Sequence, residues 1–123
     1  MEMQATTVTI SPCPQEQSIR MIHLPAMIDT NSAEKISPEV MAAFEGNPGG
    51  ILFDLKDVTF VSSMGIRMFM IAYKKASADG IKIAMMHVHP MIYKIFKVAG
   101  LDGAFNIFEN EDEALKSIWN LPS

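Results

Sequence analysis

Residues Ile51 to Lys75 read ILFDLKDVTFVSSMGIRMFMIAYKK, and this stretch decides the fold. Its first residues are apolar and favour β-structure, which predicts a buried strand over Ile51–Leu55. Farther along, apolar side chains recur with the spacing of an amphipathic helix at Ile66, Phe69, Met70 and Tyr73. A strand that leads directly into a helix is typical of an α/β fold.

Ser62 and Ser63 lie where the strand gives way to the helix. A hydroxyl at this place can cap the helix by accepting a hydrogen bond from a first-turn amide, and the positive helix end favours negative charge. Gly65 follows in the first turn, where glycine costs about 1 kcal/mol relative to alanine unless another backbone or a partner comes close. Met64 is expected to be exposed. Two interpretations stay open, a pair of capping serines and a docking surface at the helix tip.

Residues Leu55 to Arg67, LKDVTFVSSMGIR, resemble the STAS-domain signature of bacterial anti-sigma factor antagonists. The resemblance extends from about Val8 to Ile118. It implies a single STAS domain over residues 1–123, with a mixed, mostly parallel sheet and helices packed against it. Strands and helices alternate along the chain in the order ββαβαβαβα, which agrees with that fold.

The resemblance also implies a site. In that family a serine or threonine at this helix tip is phosphorylated by a partner kinase that is also the anti-sigma factor. Gly65 then aligns Ser63 with the usual phosphoacceptor and Ser62 with a position where many members carry aspartate, so both serines remain candidates. The same resemblance implies that the loop at Asp29 lies next to the phosphoacceptor. With the residues that the helix spacing places beside the serines, the predicted partner-binding surface comprises Asp29, Ser62, Ser63, Met64, Gly65, Arg67 and Met68.

Two functions are compatible with this surface. The first is an anti-sigma factor antagonist that binds an anti-sigma factor with serine kinase activity and is released on phosphorylation, with a serine phosphatase to reverse the change. The second is an unphosphorylated STAS scaffold or a module that binds a small ligand, which the missing aspartate and Met64 favour. A hydrolase that uses Ser63 is the weakest hypothesis, because the Gly-x-Ser-x-Gly motif fails at Val61. We therefore expect no enzyme activity.

The other elements follow from local signals. A strand is expected over Thr6–Ile10, ending at Ser11-Pro12, and two further strands over Ser18–Leu24 and Ile81–Val88. A helix over Ala33–Phe44 is expected to kink or restart at Pro38, with Ser37 as a second cap. The remaining expected elements are a helix over Met91–Val98, a strand over Phe105–Phe108 and a helix over Glu111–Trp119 capped by Asn110.

Composition narrows the class of protein. The chain has 123 residues, 49% of them hydrophobic, with a net charge of −4, which indicates one globular domain and argues against a direct nucleic-acid partner. No apolar run is long enough to span a bilayer, and the first residues lack the features of a signal peptide. We expect a cytoplasmic protein without membrane contact.

Few residues carry other chemistry. Cys13 is the single cysteine, so neither an internal disulfide nor a multi-cysteine zinc site is expected. His87 and His89 share a face if their strand stays regular, but no third ligand follows at motif spacing, and no phosphate-binding glycine motif occurs. No metal or other cofactor is therefore predicted. Asp54, at the end of the central strand, is interpreted either as part of the site or as a solvated strand end.

Overall fold

The structure, a computed structural model, describes residues 8–12, 18–46 and 48–119. Within them the chain forms seven strands and four helices, and a short 3₁₀ turn precedes the last strand. In order they are β1 (Thr9–Pro12), β2 (Ile19–His23), β3 (Met27–Ile28), α1 (Thr30–Ala42), β4 (Gly50–Asp54), β5 (Phe60–Val61), α2 (Ser63–Asp79), β6 (Lys82–Met86), α3 (Pro90–Ala99), β7 (Asn106–Ile107) and α4 (Glu111–Trp119).

Five of the strands form the main sheet in the order β1-β2-β4-β6-β7. The edge strand β1 is antiparallel to β2, and every other neighbour is parallel. The predicted α/β class and the mixed, mostly parallel sheet are confirmed. In the parallel register His23, Asp54 and Met86 lie side by side, so the carboxyl ends of β2, β4 and β6 are level.

Each face of the main sheet is covered by helices. Alternate residues of β4 point to opposite faces, as the pleat requires, so Ile51 and Phe53 join the larger core while Leu52 joins the smaller one. The larger core lies under α1, α2 and α3, and its aromatic rings meet edge to face, with centroids of Phe53 and Phe69 at 5.6 Å. The smaller core packs against α4 through Ala114, Leu115 and Ile118.

A second, two-stranded parallel sheet of β3 and β5, the ribbon, stands apart from the main sheet. Met27 pairs with Phe60, and Ile28 pairs with Val61. Neither strand was predicted from the sequence, because two residues are too few to show an alternating pattern. The predicted order therefore holds for the main sheet, and the ribbon adds one strand before α1 and another before α2.

Two local predictions need correction. The first strand spans Thr9–Pro12 and so includes Pro12, which the edge position tolerates; Thr6, Thr7 and Cys13 lie outside the described residues. The restart at Pro38 is wrong, since α1 is one continuous helix that begins at the Asp29 cap. Burial of Ile36 and Val40 on either side of the proline holds the helix together.

Candidate functional site

The ribbon brings the starts of two helices to one edge. Asp29 follows β3 and caps α1, and its Oδ1 accepts a hydrogen bond from the Ser32 amide at 2.9 Å. Ser62 follows β5 and caps α2, and its Oγ accepts from the Gly65 amide at 3.2 Å. The Ser62 amide donates in turn to the Ile28 carbonyl at 2.8 Å, so the two caps are neighbours.

The capping bond at Asp29 has an electrostatic consequence. The hydrogen bond from the Ser32 amide, together with the Ser32 hydroxyl, lowers the pKa of the Asp29 carboxyl. A carboxylate is thereby kept at the positive end of α1, where it is favoured. Asp29 therefore acts as the N-cap of α1 as well as lying beside the start of α2.

The two serines differ in their surroundings. Ser62 is half-buried and its hydroxyl serves as the cap of α2. Ser63 is exposed at the first position of the helix. The pair thus divides into a structural hydroxyl and an accessible one.

Gly65 lies where α2 comes closest to the ribbon. A Cβ built on it meets Ile28 Cγ2 at 2.8 Å, Val61 Cγ1 at 2.9 Å and the Ile28 carbonyl oxygen at 3.2 Å. The glycine is therefore required by packing within the chain. This close approach fixes the start of α2, and hence Ser63, relative to β3.

An open groove of about 440 Å³ runs between α1 and α2 beside the serines. Its wall on α2 includes Met64, which is 37% exposed, and the exposed Arg67. Glu34 provides an opposite charge on α1. The complete lining comprises Ala33, Glu34, Ser37, Pro38, Met41, Met64, Arg67, Met68 and Ile71.

The expectation that Met68 is exposed near the serines is wrong, because it is only 2% exposed. The core-facing side of α2 centres on Phe69, with Met68 and three small residues around it, Gly65, Ala72 and Ala76. The large side chains from which we derived the buried face, Ile66, Met70 and Tyr73, are only partly buried. Small residues let the helix lie close to the sheet, and a pattern of large apolar residues does not reveal them.

A cluster that sequence reasoning missed lies at the carboxyl ends of β2, β4 and β6. Asp54 is 4% exposed, and its Oδ2 is 2.7 Å from His23 Nδ1 while its Oδ1 is 2.9 Å from His87 Nδ1. The Lys56 amide also donates to Oδ1, at 3.0 Å. We call Asp54, His23 and His87 the strand-end clasp. The interpretation of Asp54 as a solvated strand end is wrong.

The clasp keeps its carboxylate ionised. Burial raises the pKa of Asp54, but the hydrogen bonds from His87, the Lys56 amide and His23 together outweigh it, so the pKa is lowered. The sequence held one usable signal for the clasp, because the ends of neighbouring parallel strands meet at one edge of a sheet. Asp54 is the last residue of one such strand, and His87 directly follows another.

His87 and His89 do not share a face as a regular strand would require. Strand β6 ends at Met86, and His87 has a φ of 59°, in the left-handed region that histidine adopts more readily than most residues. His89 caps α3, and its Nδ1 accepts a hydrogen bond from the Met91 amide at 3.2 Å. Across residues 8–12, 18–46 and 48–119 we find no cluster of three histidine, cysteine or acidic side chains able to hold a metal ion.

No helix among the described residues has the length and apolar character needed to cross a bilayer.

Comparison with known proteins gives a consistent result. The family model of the STAS domain matches residues 12–114. A curated relative, an anti-sigma F factor antagonist of Paenibacillus polymyxa, is 21% identical over 103 residues, which cover 83% of this chain and 88% of the relative.

Solved structures are similar over nearly the whole chain. A STAS domain protein described as an anti-sigma-factor antagonist from Planctomyces limnophilus matches with a TM-score of 0.80 at 22% identity, covering 94% of this chain and 99% of that one. The phosphorylated form of the Bacillus cell fate determinant SpoIIAA matches with a TM-score of 0.68 at 19% identity, covering 90% and 98%. At these identities the likeness concerns the fold.

Proposed function

The chain belongs to the STAS domain family, and from this premise we propose that it is an anti-sigma factor antagonist regulated by phosphorylation. The observation that carries the proposal is the exposed Ser63 at the tip of α2, beside the Asp29 cap and the groove between α1 and α2. In this proposal the unmodified chain binds an anti-sigma factor that is also a serine kinase, and a serine phosphatase restores the unmodified form. The chain itself acts by binding, in the cytoplasm, and catalyses no reaction.

Ser63 is the acceptor that we propose, because Ser62 is already engaged. The Ser62 hydroxyl caps α2 and is half-buried, so a phosphate on it displaces the bond to the Gly65 amide. A phosphate on Ser63 leaves that cap in place and extends into solvent. The partner-binding surface then comprises Asp29, Ser62, Ser63, Met64, Gly65 and Arg67, while the buried Met68 contributes only to the groove.

Phosphorylation would act on the complex more than on the fold. A phosphate adds a charge of about −1.5 to −2, and the start of a helix stabilises such a charge by roughly 0.3–1 kcal/mol. Inside a complex the same group is desolvated beside apolar side chains such as Met64. The free chain therefore tolerates the phosphate, and the complex does not.

The test incubates the chain with ATP and the histidine-kinase-like anti-sigma factors of the same organism, read by intact mass and peptide mapping. We expect one phosphate, abolished by Ser63→Ala and retained by Ser62→Ala. Ser77→Ala is the matched control, because Ser77 is an exposed serine near the other end of α2. Binding without any phosphate transfer would exclude the switch.

The groove favours a second candidate, an unphosphorylated module that binds a small ligand. Its volume of about 440 Å³ is in the range of small-molecule sites, and three methionines line it. In that case Met41→Ala, at the α1 side of the groove, weakens ligand binding although it leaves Ser63 untouched. Intact mass of the protein purified from its native host separates the candidates, since only the switch predicts a phosphorylated fraction.

A further inference from the structure

The strand-end clasp determines where two protons lie. The ionised Asp54 carboxylate has only acceptors to offer, and a different oxygen of it lies within hydrogen-bond distance of each Nδ1, at 2.7 Å for His23 and 2.9 Å for His87. Each Nδ1 must therefore carry the hydrogen. The Nε2 atom of each neutral ring then has the lone pair.

His89 provides the opposite case in the same chain. Its Nδ1 accepts a hydrogen bond from the Met91 amide, so the proton of its neutral ring lies on Nε2. The chain has three histidines in all. His23 and His87 should thus have a different tautomer from His89, because their Nδ1 atoms donate to a carboxylate whereas the Nδ1 atom of His89 accepts from an amide.

The clasp also lies at the base of both connections to the ribbon. His23 ends β2, and residues 24–26 lead from it to β3; Asp54 ends β4, and residues 55–59 lead from it to β5. The Leu24 amide donates to the Asp54 carbonyl at 3.1 Å, which joins the two connections at their start. His87 ties the same carboxylate to the end of β6.

We propose that Asp54, His23 and His87 are positioning residues. The Asp54 carboxylate holds both imidazoles in the Nδ1–H tautomer, and the strand ends that it joins fix the position of the ribbon, which Asp29 and Ser62 follow. The effect on partner binding rests on the proposed function. The effect on the ribbon does not, because the ribbon hydrogen bonds can be measured in the free chain.

The first measurement is the tautomer of each histidine, read from long-range ¹H–¹⁵N spectra of the full chain recorded at alkaline pH, where a neutral imidazole shows which of its two nitrogens carries the hydrogen. We expect Nδ1–H for His23 and His87 and Nε2–H for His89. Nε2–H tautomers at His23 and His87 would overturn the proposal.

Asp54→Asn makes this test sharper. The amide offers one oxygen acceptor and one nitrogen donor. The Lys56 amide and His87 both donate to the Oδ1 position, so the side-chain oxygen of the asparagine should occupy that position. The side-chain nitrogen then faces His23. We expect His23 to change to the Nε2–H tautomer while His87 and His89 stay as they are. An unchanged His23 contradicts the proposed arrangement.

The second measurement is hydrogen exchange of the Thr59 and Ser62 amides, which lie directly before and after the ribbon strand β5. The Thr59 and Ser62 amides donate hydrogen bonds to the Ala26 and Ile28 carbonyls, each at 2.8 Å. The reference away from the ribbon is the Ile81 amide, which donates to the Ala76 carbonyl at 2.9 Å. We expect Asp54→Asn to speed exchange at Thr59 and Ser62 about tenfold relative to Ile81, which corresponds to about 1.4 kcal/mol.

His87→Gly supplies a second variant, because glycine removes the imidazole yet accepts the positive φ at this position. It should speed exchange at the same two amides. His89→Asn is the matched control, because position 89 lies outside the clasp and an asparagine there can also cap α3. It should leave exchange at Thr59 and Ser62 unchanged. Equal acceleration at the ribbon and at Ile81 would show general destabilisation and refute a positioning role. Failure of this test leaves the phosphorylation test unaffected.

Discussion

Gly65→Ala tests how closely α2 must approach the ribbon. The added methyl group would lie 2.8 Å from Ile28 Cγ2 and 2.9 Å from Val61 Cγ1. Ile28 is fully buried and Val61 nearly so, and the nearby Ile28 carbonyl belongs to the ribbon backbone. None of these atoms is the free end of an exposed side chain, so the start of α2 or the ribbon must shift.

Two effects of opposite sign set the magnitude. Overpacking of a core typically costs about 1–3 kcal/mol, whereas alanine is better than glycine in a helix by about 1 kcal/mol. Packing outweighs propensity because two contacts fall below 3.0 Å. Two such contacts put the overpacking cost in the upper part of its range, about 2–3 kcal/mol, so that after subtraction of about 1 kcal/mol for propensity we expect a net loss of about 1–2 kcal/mol in the free energy of unfolding.

Urea denaturation measures this loss as a lower midpoint with an unchanged slope. Gly103→Ala is the matched control, because a Cβ on Gly103 meets nothing within 4 Å, and it should change stability by less than about 0.5 kcal/mol. A Gly65→Ala variant as stable as the wild-type chain would show that packing does not select glycine at this position.

Three further predictions concern capping and charge. Ser62→Ala should lower the free energy of unfolding by about 1 kcal/mol through loss of the cap, while Ser63→Ala should change it little; thermal denaturation compares them. Asp54 has a lowered pKa in the folded chain, so its stabilisation is present above the unfolded value near 3.8 and is lost as pH falls below it. The free energy of unfolding, measured by urea denaturation across this acid range, should therefore change less with pH for Asp54→Asn than for the wild-type chain. Arg20 donates from Nη1 to the Ala43 and Glu45 carbonyls beyond the end of α1, and Arg20→Met should cost about 1.5–3 kcal/mol in urea denaturation.

The sequence predicted the large elements because their signals are local. Apolar residues over Ile51–Leu55, the helical spacing after Ile66 and the Asn110 cap each depend on neighbours in the chain. The structure shows this cap, because Asn110 Oδ1 accepts a hydrogen bond from the Glu113 amide at 2.9 Å. Helix and strand boundaries that depend on such signals were close to those observed.

Features that depend on distant residues were not predictable in the same way. The clasp joins His23 to Asp54, 31 positions away, and Asp54 to His87, 33 positions away. Met68 is buried on the side of α2 on which Gly65 lies close to Ile28, and Ile28 is 40 positions away from Met68 in the sequence. The ribbon strands have two residues each and are stabilised by pairing with each other.

The strand order has a consequence for synthesis of the chain on the ribosome. Because the main sheet is built as β1-β2-β4-β6-β7, each new strand is added beside the one made before it, and none must be inserted between two others. Partial sheets can therefore assemble while translation proceeds. The face that holds Ile19, Leu52 and Met86 stays uncovered until α4, the last of the described helices, has emerged. A chain released before that point would expose an apolar sheet face, which makes it a substrate for chaperones and proteases.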